Sequence, residues 1–256
     1  MGRELNPRIF GVDLKFVCEL RPGLIAWALM LISDCLSQYR AAGYVTVPLA
    51  LLATGQLLYI ADAMWFESSI LTTIDIVEEG FGFMLLFGDL CWVPALYSLQ
   101  GHYLLARPIK VGGKSLFLDK ALSWYCYVPF ALLNVVGYYI FRASNNQKDK
   151  FRSNATEDSQ DKKHESIPTI QGRRLLCSGW WGWLRHPNYF GDLLMAWAWA
   201  FYCGFSHLIP YFYPVFLTIL LVSRELRDER ANQRKYGSAW TLYRQKVPFR
   251  IFPGLW

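Results

Sequence analysis

Charged side chains are scarce in this chain of 256 residues, since only 18% are Asp, Glu, Lys or Arg. Ordinary soluble domains carry roughly 25% charged residues. Apolar residues make up 54% of the sequence, and aromatic residues alone make up 17%. This composition excludes a disordered chain, because disordered chains are poor in apolar residues. It also exceeds the aromatic content that one soluble core of this size would hold.

Cysteine and histidine are scarce as well. The six cysteines have no paired spacing, which excludes a small secreted domain held by disulfides. Most of them lie in apolar runs, so we expect reduced, buried thiols. The four histidines are scattered, and no pair has the spacing of metal ligands, so no metal site is predicted. A secretory leader is not predicted either, because the polar start is not followed by a short apolar run with a cleavage site.

The net charge of +6 is distributed in a way that argues against nucleic acid as a partner. A nucleic-acid-binding domain collects its cations on one soluble surface. Here the cations lie between and after long apolar stretches. That distribution is typical of a membrane protein with basic cytosolic loops.

The apolar stretches predict an all-α fold, a polytopic transmembrane helix bundle with about six membrane helices. A helix needs about 20 residues, mostly apolar, to cross a bilayer. The candidate spans are residues 23–39, 44–64, 80–106, 121–141, 188–205 and 208–223, the last two forming a helical hairpin.

The chain changes character after residue 141. Residues 142–174 are strongly polar and predict a loop, and residues 224–256 predict a basic interfacial helix with an extended end. By the positive-inside rule, both regions face the cytoplasm. We therefore divide the chain into membrane helices at 1–141 and a second part at 142–256.

Acidic residues within or beside the spans predict a polar cavity inside the bundle, because a carboxylate at membrane depth is costly. Asp75, Glu78 and Glu79 have the spacing of one helical face. They would equally suit the first turn of an interfacial helix. Asp89, between Gly88 and an apolar run, is expected to be the most buried acid, with a structural hydrogen bond as the alternative role.

The segment from Gly179 to Asp192 is rich in glycine, tryptophan and polar side chains. Arg185 and His186 supply donors suited to an anionic ligand. Pro187 sits where a helix would begin, and a helix N-terminus attracts anions.

Two further pairs have a four-residue helical spacing. Arg224 and Asp228 would share one face of a helix, whereas Arg227 would point elsewhere. Lys148 and Arg152 would share another face and suit a phosphorylated soluble ligand. A snorkelling helix end and a solvated charge run are the alternatives for these pairs.

In their order along the chain, these motifs resemble the C-terminal part of the sterol reductases, the family of delta(14)-sterol reductase and the sterol-reductase domain of the lamin B receptor. The matching segments are Gly2-Arg3-Glu4-Leu5-Asn6-Pro7-Arg8, Glu19-Leu20-Arg21-Pro22-Gly23, Leu71-Thr72-Thr73-Ile74-Asp75-Ile76, Gly80-Phe81-Gly82-Phe83, Gly88-Asp89-Leu90, Gly179-Trp180-Trp181-Gly182, Arg185-His186-Pro187-Asn188-Tyr189, Leu208 to Tyr211, and Arg227-Asp228-Glu229. Within the family, the segment that begins at Gly2 and the segment that begins at Arg185 look like the delta(14) branch.

The resemblance implies a ten-helix enzyme of the endoplasmic reticulum and inner nuclear membrane that uses NADPH to reduce the C14 double bond of a sterol in cholesterol or sterol biosynthesis. About four of those helices would precede the motif that begins here at residue 2. The resemblance assigns the cofactor pocket to residues of the second part of the chain. They are Lys148, Arg152, Leu176, Trp181, Arg185, His186, Asn188, Tyr189, Asp192, Arg224 and Tyr243.

The resemblance also implies an acid, since an unactivated alkene accepts a hydride only after protonation. Asp228 is the first candidate, together with Tyr59 or a bound water. Asp75, Glu78 and Asp89 would line the sterol side of a cavity formed by residues 1–141. Relatives often carry a His-Asp pair where this chain has Glu78 and Glu79.

Other classes stay open. Membrane S-adenosylmethionine methyltransferases of the isoprenylcysteine type share the Arg-His-Pro-x-Tyr segment, but a methyl donor without phosphates has no use for the cations Lys148, Arg152 and Arg224. A non-catalytic scaffold of the nuclear envelope and a truncated inactive paralogue are the remaining alternatives. The expected partners are sterol from the bilayer and membrane lipids.

Overall fold

The computed structural model describes residues 4–72, 76, 79–106, 110–111, 114–115, 124–154, 165–169, 172 and 174–255. Its α-helices are α1 (Leu14–Leu20), α2 (Pro22–Ala42), α3 (Val47–Trp65), α4 (Phe83–Phe87), α5 (Val93–Tyr97), α6 (Leu99–Ala106), α7 (Val128–Asn154), α8 (Trp180–Trp183), α9 (Pro187–Phe201), α10 (Phe212–Tyr236) and α11 (Ser238–Lys246). A π-helical turn at Gly88–Trp92 joins α4 to α5, and 3-10 turns lie at Glu67–Thr72, Trp124–Tyr127 and Ile209–Tyr211.

The strands are short and form three antiparallel pairs within the described residues. They are β1 (Arg8–Ile9) with β2 (Val12–Asp13), β3 (Lys110–Val111) with β4 (Lys114–Ser115), and β5 (Ser166–Pro168) with β6 (Arg174–Leu176). In the last pair Ile167 lies opposite Leu175. The hairpins are connections between helices, so the fold is helical.

Five helical segments of the described chain are long and apolar enough to cross a membrane. They are Leu14–Ala42, Val47–Trp65, Phe83–Ala106, Tyr125–Ser153 and Ile209–Tyr236. These segments confirm the prediction of a polytopic membrane helix bundle. The remaining predicted span, 188–205, corresponds to α9, whose 15 residues give a length of about 22 Å. That is shorter than the roughly 30 Å hydrocarbon core of a bilayer.

The prediction of a loop over 142–174 is wrong for its first part. Helix α7 continues to Asn154. The segment from Arg142 to Asn154 contains neither glycine nor proline, so the apolar helix extends into polar sequence without a break. The β5–β6 hairpin follows further along. The basic tail also differs from its prediction, because α10 runs to Tyr236 and a separate helix, α11, follows.

The contacts divide the chain into two compact units. The first unit comprises Met1–Val128 with Trp199–Tyr213, and the second comprises Pro129–Ala198 with Pro214–Trp256. This division follows packing, whereas the predicted boundary at residue 141 concerned function and stays a prediction.

Buried amide side chains link the helices of the first unit. The indole nitrogen of Trp27 donates to Gln56 Oε1 at 3.2 Å, and Gln56 Nε2 donates to Gln100 Oε1 at 3.1 Å. Gln100 Nε2 in turn donates to the carbonyl of Pro210 at 3.0 Å. Hydrogen bonds of this kind satisfy polar groups that would be costly inside a bilayer.

Helices α7 and α9 approach closely in the second unit because each has a glycine at the crossing. A Cβ atom on Gly191 would lie 2.6 Å from the backbone nitrogen of Phe141 and 2.7 Å from the carbonyl oxygen of Gly137. A Cβ atom on Gly137 would lie 2.8 Å from the carbonyl oxygen of Gly191. Backbone atoms cannot move aside without shifting a helix, so both positions require glycine.

The cysteines are only partly as predicted. All six are free thiols, and Cys177 and Cys203 are buried, but Cys91 is exposed. Cys91 lies on the π-helical turn beside exposed Leu90, on an apolar surface of the protein. An apolar run in a membrane protein does not have to be buried, because apolar side chains also face lipid.

Gly191→Ala is expected to destabilise the second unit by about 1–3 kcal/mol, because the added methyl group overpacks a contact with backbone atoms. The apparent melting temperature in detergent measures the effect. Gly88→Ala is the matched control, since Gly88 is also helical and a Cβ atom there meets nothing within 4 Å. Equal melting temperatures for the two variants would contradict the close crossing.

Candidate functional site

The centre of the candidate site is the pair formed by Lys148 of α7 and Trp181 of α8. The Lys148 ammonium lies 4.5 Å from the centroid of the Trp181 ring. The ring itself is buried, and its Nε1 atom donates to the carbonyl of Ser144 at 2.9 Å. Because Ser144 lies one turn before Lys148, this hydrogen bond fixes the indole against the same helix. The cation is held over the ring face, which attracts it electrostatically.

Side chains of neighbouring elements also contact Trp181 and fix its position. Phe151 and Leu176 form one buried cluster with it, so Leu176 reaches the site from β6. The hydroxyl of Tyr243, on α11, donates to the carbonyl of Trp181 at 3.3 Å. Burial raises the pKa of Tyr243, which therefore stays protonated as a donor.

Helix α10 contributes Arg224 and Asp228, both partly buried and one turn apart, whereas Arg227 between them is exposed. This arrangement confirms the predicted faces of the helix. The carboxylate of Asp228 lies within electrostatic range of the Lys148 ammonium, and so does Arg152. Asp228 of one predicted pair therefore lies near Lys148, a member of the other pair.

The start of α9 supplies a buried acceptor. The side-chain Oδ1 atom of Asn188 is buried and has no hydrogen-bond partner among the described residues. Tyr189 stacks on His186 with ring centroids 4.7 Å apart and an interplanar angle of 13°. Asp192 lies one turn further along the helix and is partly buried.

Arg185 holds the C-terminal segment. Its Nε donates to the carbonyl of Val247 at 2.9 Å, and a terminal nitrogen donates to the carbonyl of Pro248 at 3.0 Å. The other terminal nitrogen forms an ion pair with Glu229 at 3.0 Å, where the two side chains are only 6% and 12% exposed. Glu229 also pairs with Arg244 of α11 at 3.2 Å.

A second set of contacts follows the same segment. The backbone nitrogens of Arg185 and His186 donate to the carbonyls of Phe249 and Arg250, each at 3.0 Å. The Arg250 guanidinium forms an ion pair at 3.0 Å with Glu225, whose side chain is 1% exposed. The segment that carries the predicted anion-binding residues is therefore fastened to the end of the chain.

Comparison with known proteins identifies the family of this chain. The model of the ergosterol biosynthesis ERG4/ERG24 family matches residues 1–256. The chain belongs to this family. It is 51% identical over 99% of its length to a protein of Mus musculus named delta(14)-sterol reductase TM7SF2, of which it covers 58%.

Two further relatives carry the same enzyme name. The delta(14)-sterol reductase LBR of Gallus gallus is 48% identical over 97% of this chain, which covers 37% of the relative. The delta(14)-sterol reductase erg24 of Schizosaccharomyces pombe is 46% identical over 99% of this chain, which covers 57% of it. The chain thus spans at most 58% of the length of these relatives. Its membrane-spanning helices make it a multi-pass membrane protein.

In this family member the predicted pocket residues belong to one compact unit. Lys148, Trp181, Asn188, Arg224 and Asp228 all lie in the second unit, as do the other cofactor-binding candidates. Arg185 uses its donors on Val247, Pro248 and Glu229, so its contacts in the structure are those of a positioning residue. Its predicted contact with the cofactor stays a prediction.

The remaining candidates lie elsewhere. Tyr59 belongs to the first unit, where its ring lies 5.6 Å from that of Trp199. Asp75 and Glu78 lie outside the described residues. Asp89 is only partly buried, so the prediction that it is the most buried acid is wrong.

The close contact at this position is made by the Asp89 backbone. Gly23 of α2 packs on that backbone so closely that a Cβ atom would lie 2.2 Å from the Asp89 carbonyl oxygen. Asp34 and Asp62 are more deeply buried, with 3% and 8% of their surface exposed. Asp34 Oδ1 lies 2.7 Å from His102 Nδ1, within hydrogen-bond distance.

Sequence reasoning missed Ser144, Glu225 and Glu229. The two glutamates are four residues apart on α10 and form a second stripe beside Arg224 and Asp228. That spacing was a usable signal. The Ser144 contact was not predictable, because the acceptor is a backbone carbonyl.

Arg185→Ala is expected to lower the apparent free energy of unfolding by about 3–5 kcal/mol. It removes the buried partner of Glu229, which keeps only the half-exposed Arg244, and it removes two hydrogen bonds to the C-terminal segment. A denaturant titration in mixed micelles measures the change. Arg21→Ala is the control: its ion pair with Glu67 has side chains 49% and 40% exposed, so it should cost about 1 kcal/mol or less. Similar losses for both variants would argue against a buried clamp.

His186 is expected to make the folded state less stable as the pH falls below neutral. Burial, and then the cations Lys148, Arg185 and Arg250, lower the pKa of His186 to about 3. The unfolded chain takes up this proton near pH 6.5, so the unfolded state gains protons first and stability falls below that pH. At pH 5 the loss amounts to at most about 2 kcal/mol.

Melting temperatures between pH 7.5 and pH 5 test this expectation. The wild type should lose more stability over this range than His186→Gln, which lacks the titrating group. Parallel curves for the two proteins would show that the imidazole is free to protonate in the folded state.

Proposed function

We propose that this chain carries the cofactor-binding and proton-donating part of an NADPH-dependent delta(14)-sterol reductase, which saturates the C14 double bond of a sterol intermediate. The observation that carries the proposal is the Lys148 ammonium over the fixed ring of Trp181, with the Asp228 carboxylate within electrostatic range. The names of the relatives support the same reaction.

The residues of the pocket fit a phosphorylated dinucleotide. Lys148 has the Trp181 ring as its neighbour and no salt-bridge partner among the described residues, so its charge is available to a phosphate. Arg152 and Arg224 add cations, and charge-assisted hydrogen bonds to phosphate are strong. The unpartnered Oδ1 of Asn188 is an acceptor for a hydroxyl or amide of the ligand. Leu176, His186, Tyr189, Asp192 and Tyr243 would complete the pocket.

When bound, NADPH would supply a hydride. The protein has to supply the proton, because an isolated alkene is a poor hydride acceptor. We assign this proton to Asp228, which would take it up from solvent and transfer it to one alkene carbon, leaving a carbocation on the other. The hydride would then quench the carbocation, and Asp228 would be ready to take up the next proton from solvent. Tyr59 is the second candidate for the donor or for a residue that assists it.

The proposal extends to location and substrate access. The sterol would enter from the bilayer, and Asp75, Glu78 and Asp89 would lie on the sterol side, within the membrane helices of residues 1–141. The endoplasmic reticulum membrane, with the inner nuclear membrane continuous with it, is the proposed location. Residues 142–174 and 224–256 would face the cytosol, where NADPH is available.

The test is an NADPH-dependent reduction assay on microsomes that express the full chain, with a delta(8,14)-sterol and a 7-dehydrosterol as substrates. Asp228→Asn should lower turnover of the first sterol by about 100-fold or more, since general acid catalysis contributes about that much. NADPH binding should survive. Arg230→Gln is the control, because Arg230 is exposed on the same helix.

Binding of NADPH is measured separately by fluorescence titration. Lys148→Gln should weaken it by about tenfold or more, since a charge-assisted hydrogen bond is lost. NADPH binding without turnover of either sterol would limit the chain to cofactor binding. Absence of both binding and turnover would overturn the proposal and favour a scaffold or an inactive paralogue.

A further inference from the structure

An open groove of about 720 Å³ runs along α7 on a face different from the one that carries Lys148. Its α7 wall is formed by Ala143, Asn146, Gln147 and Lys150, whose spacing places them on one side of the helix. Lys148 and Lys150 differ by about 200° around the helix axis. The groove is therefore distinct from the candidate cofactor pocket.

The floor of the groove is a defined structure. Gln147 bridges two backbone groups: its Nε2 donates to the carbonyl of Ser178 at 3.2 Å, and its Oε1 accepts from the backbone nitrogen of Trp180 at 3.0 Å. Gly179, between them, has a φ of +62°. A Cβ atom at Gly179 would lie 2.2 Å from Gln147 Nε2. Glycine at this position therefore allows the Gln147 amide to reach both backbone groups.

The opposite wall is aromatic. Trp180 and Trp183 line the groove with ring centroids 6.1 Å apart. Tyr139 packs edge-on against Trp180 at 6.1 Å, and Phe190 packs edge-on against Trp183 at 5.7 Å. Tryptophan and tyrosine concentrate at the membrane–water interface, where the ring is apolar and its polar atom reaches the headgroup layer.

The groove continues into an apolar stripe on the same face of α7. Leu132, Val135, Val136 and Tyr139 are exposed along this stripe, towards the apolar end of the helix. The rise from Leu132 to Asn146 is about 21 Å. That length matches one leaflet with its headgroup layer, which is half of about 40–45 Å.

Polar groups of the groove are available to a ligand. Lys150 is exposed and has no salt-bridge partner among the described residues, and the side-chain amide of Asn146 likewise has no partner in the described part of the chain. A cation and an amide donor at the top of an apolar stripe match a phosphate that is attached to acyl chains. Free phosphate would not use the stripe.

We propose that this groove binds one anionic phospholipid, with its phosphate between Lys150 and Asn146 and an acyl chain along Leu132, Val136 and Tyr139. The two tryptophans would contact the glycerol and the upper part of the chains. Anionic phospholipids are abundant in the cytoplasmic leaflet, which is the leaflet that the charge distribution predicts for this end of α7.

Native mass spectrometry of the full chain, released from micelles that contain equal amounts of phosphatidylserine and phosphatidylcholine, tests the proposal. We expect one phosphatidylserine to be retained in preference to phosphatidylcholine. Lys150→Gln should reduce this preference by about tenfold, and Lys150→Arg should restore most of it. Lys235→Gln is the matched control, since Lys235 is an exposed lysine of α10 outside the groove.

Three results would overturn the proposal. One is retention of phosphatidylserine by Lys150→Gln at the wild-type level. Another is its displacement by excess inorganic phosphate, which would make the groove a site for a soluble anion. The third is a dimer that is lost in Trp183→Ala, which would make the groove a contact between two copies of the chain. Trp183 is 40% exposed, so this variant should keep the fold.

Discussion

The buried ion pair between Arg185 and Glu229 is the interaction on which the candidate site depends. Both side chains are nearly inaccessible to solvent, and a charge in that position is stable only while its partner is present. The remaining donors of Arg185 hold the backbone at Val247 and Pro248. One guanidinium thereby joins three separate stretches of chain: the residues before α9, the middle of α10 and the C-terminal segment.

This clamp also fixes the rotation of α10. Glu225 and Glu229 form one stripe of the helix, which is tied to Arg250 and Arg185. The stripe with Arg224 and Asp228 lies about 100° away around the axis. Once the glutamates are held, the orientation of the other stripe follows, and Asp228 comes within electrostatic range of Lys148. Residues that hold the fold and residues proposed for chemistry therefore lie on neighbouring stripes of one helix.

Local patterns in the sequence predicted a large share of this arrangement. Hydropathy predicted the membrane spans, and four-residue spacing predicted the faces of Lys148 with Arg152 and of Arg224 with Asp228. The clamp was not predicted, because Arg185 and Glu229 are 44 residues apart and no local period connects them. The length of α7 was missed for another reason: polar composition was taken as evidence for a loop, although Arg142 to Asn154 contains no residue that ends a helix.

The extension of α7 into polar sequence has a structural consequence for both sites. A helix that ended at residue 141 would leave Lys148 and Lys150 on a loop, without a fixed distance from the membrane. As one rigid helix, α7 fixes how far each lysine lies beyond the apolar stripe at Leu132 to Tyr139. It also separates them by angle, so that Lys148 meets Trp181 while Lys150 borders the groove. The proposed pocket for a soluble anion and the proposed groove for a lipid phosphate can therefore use lysines two residues apart without competing.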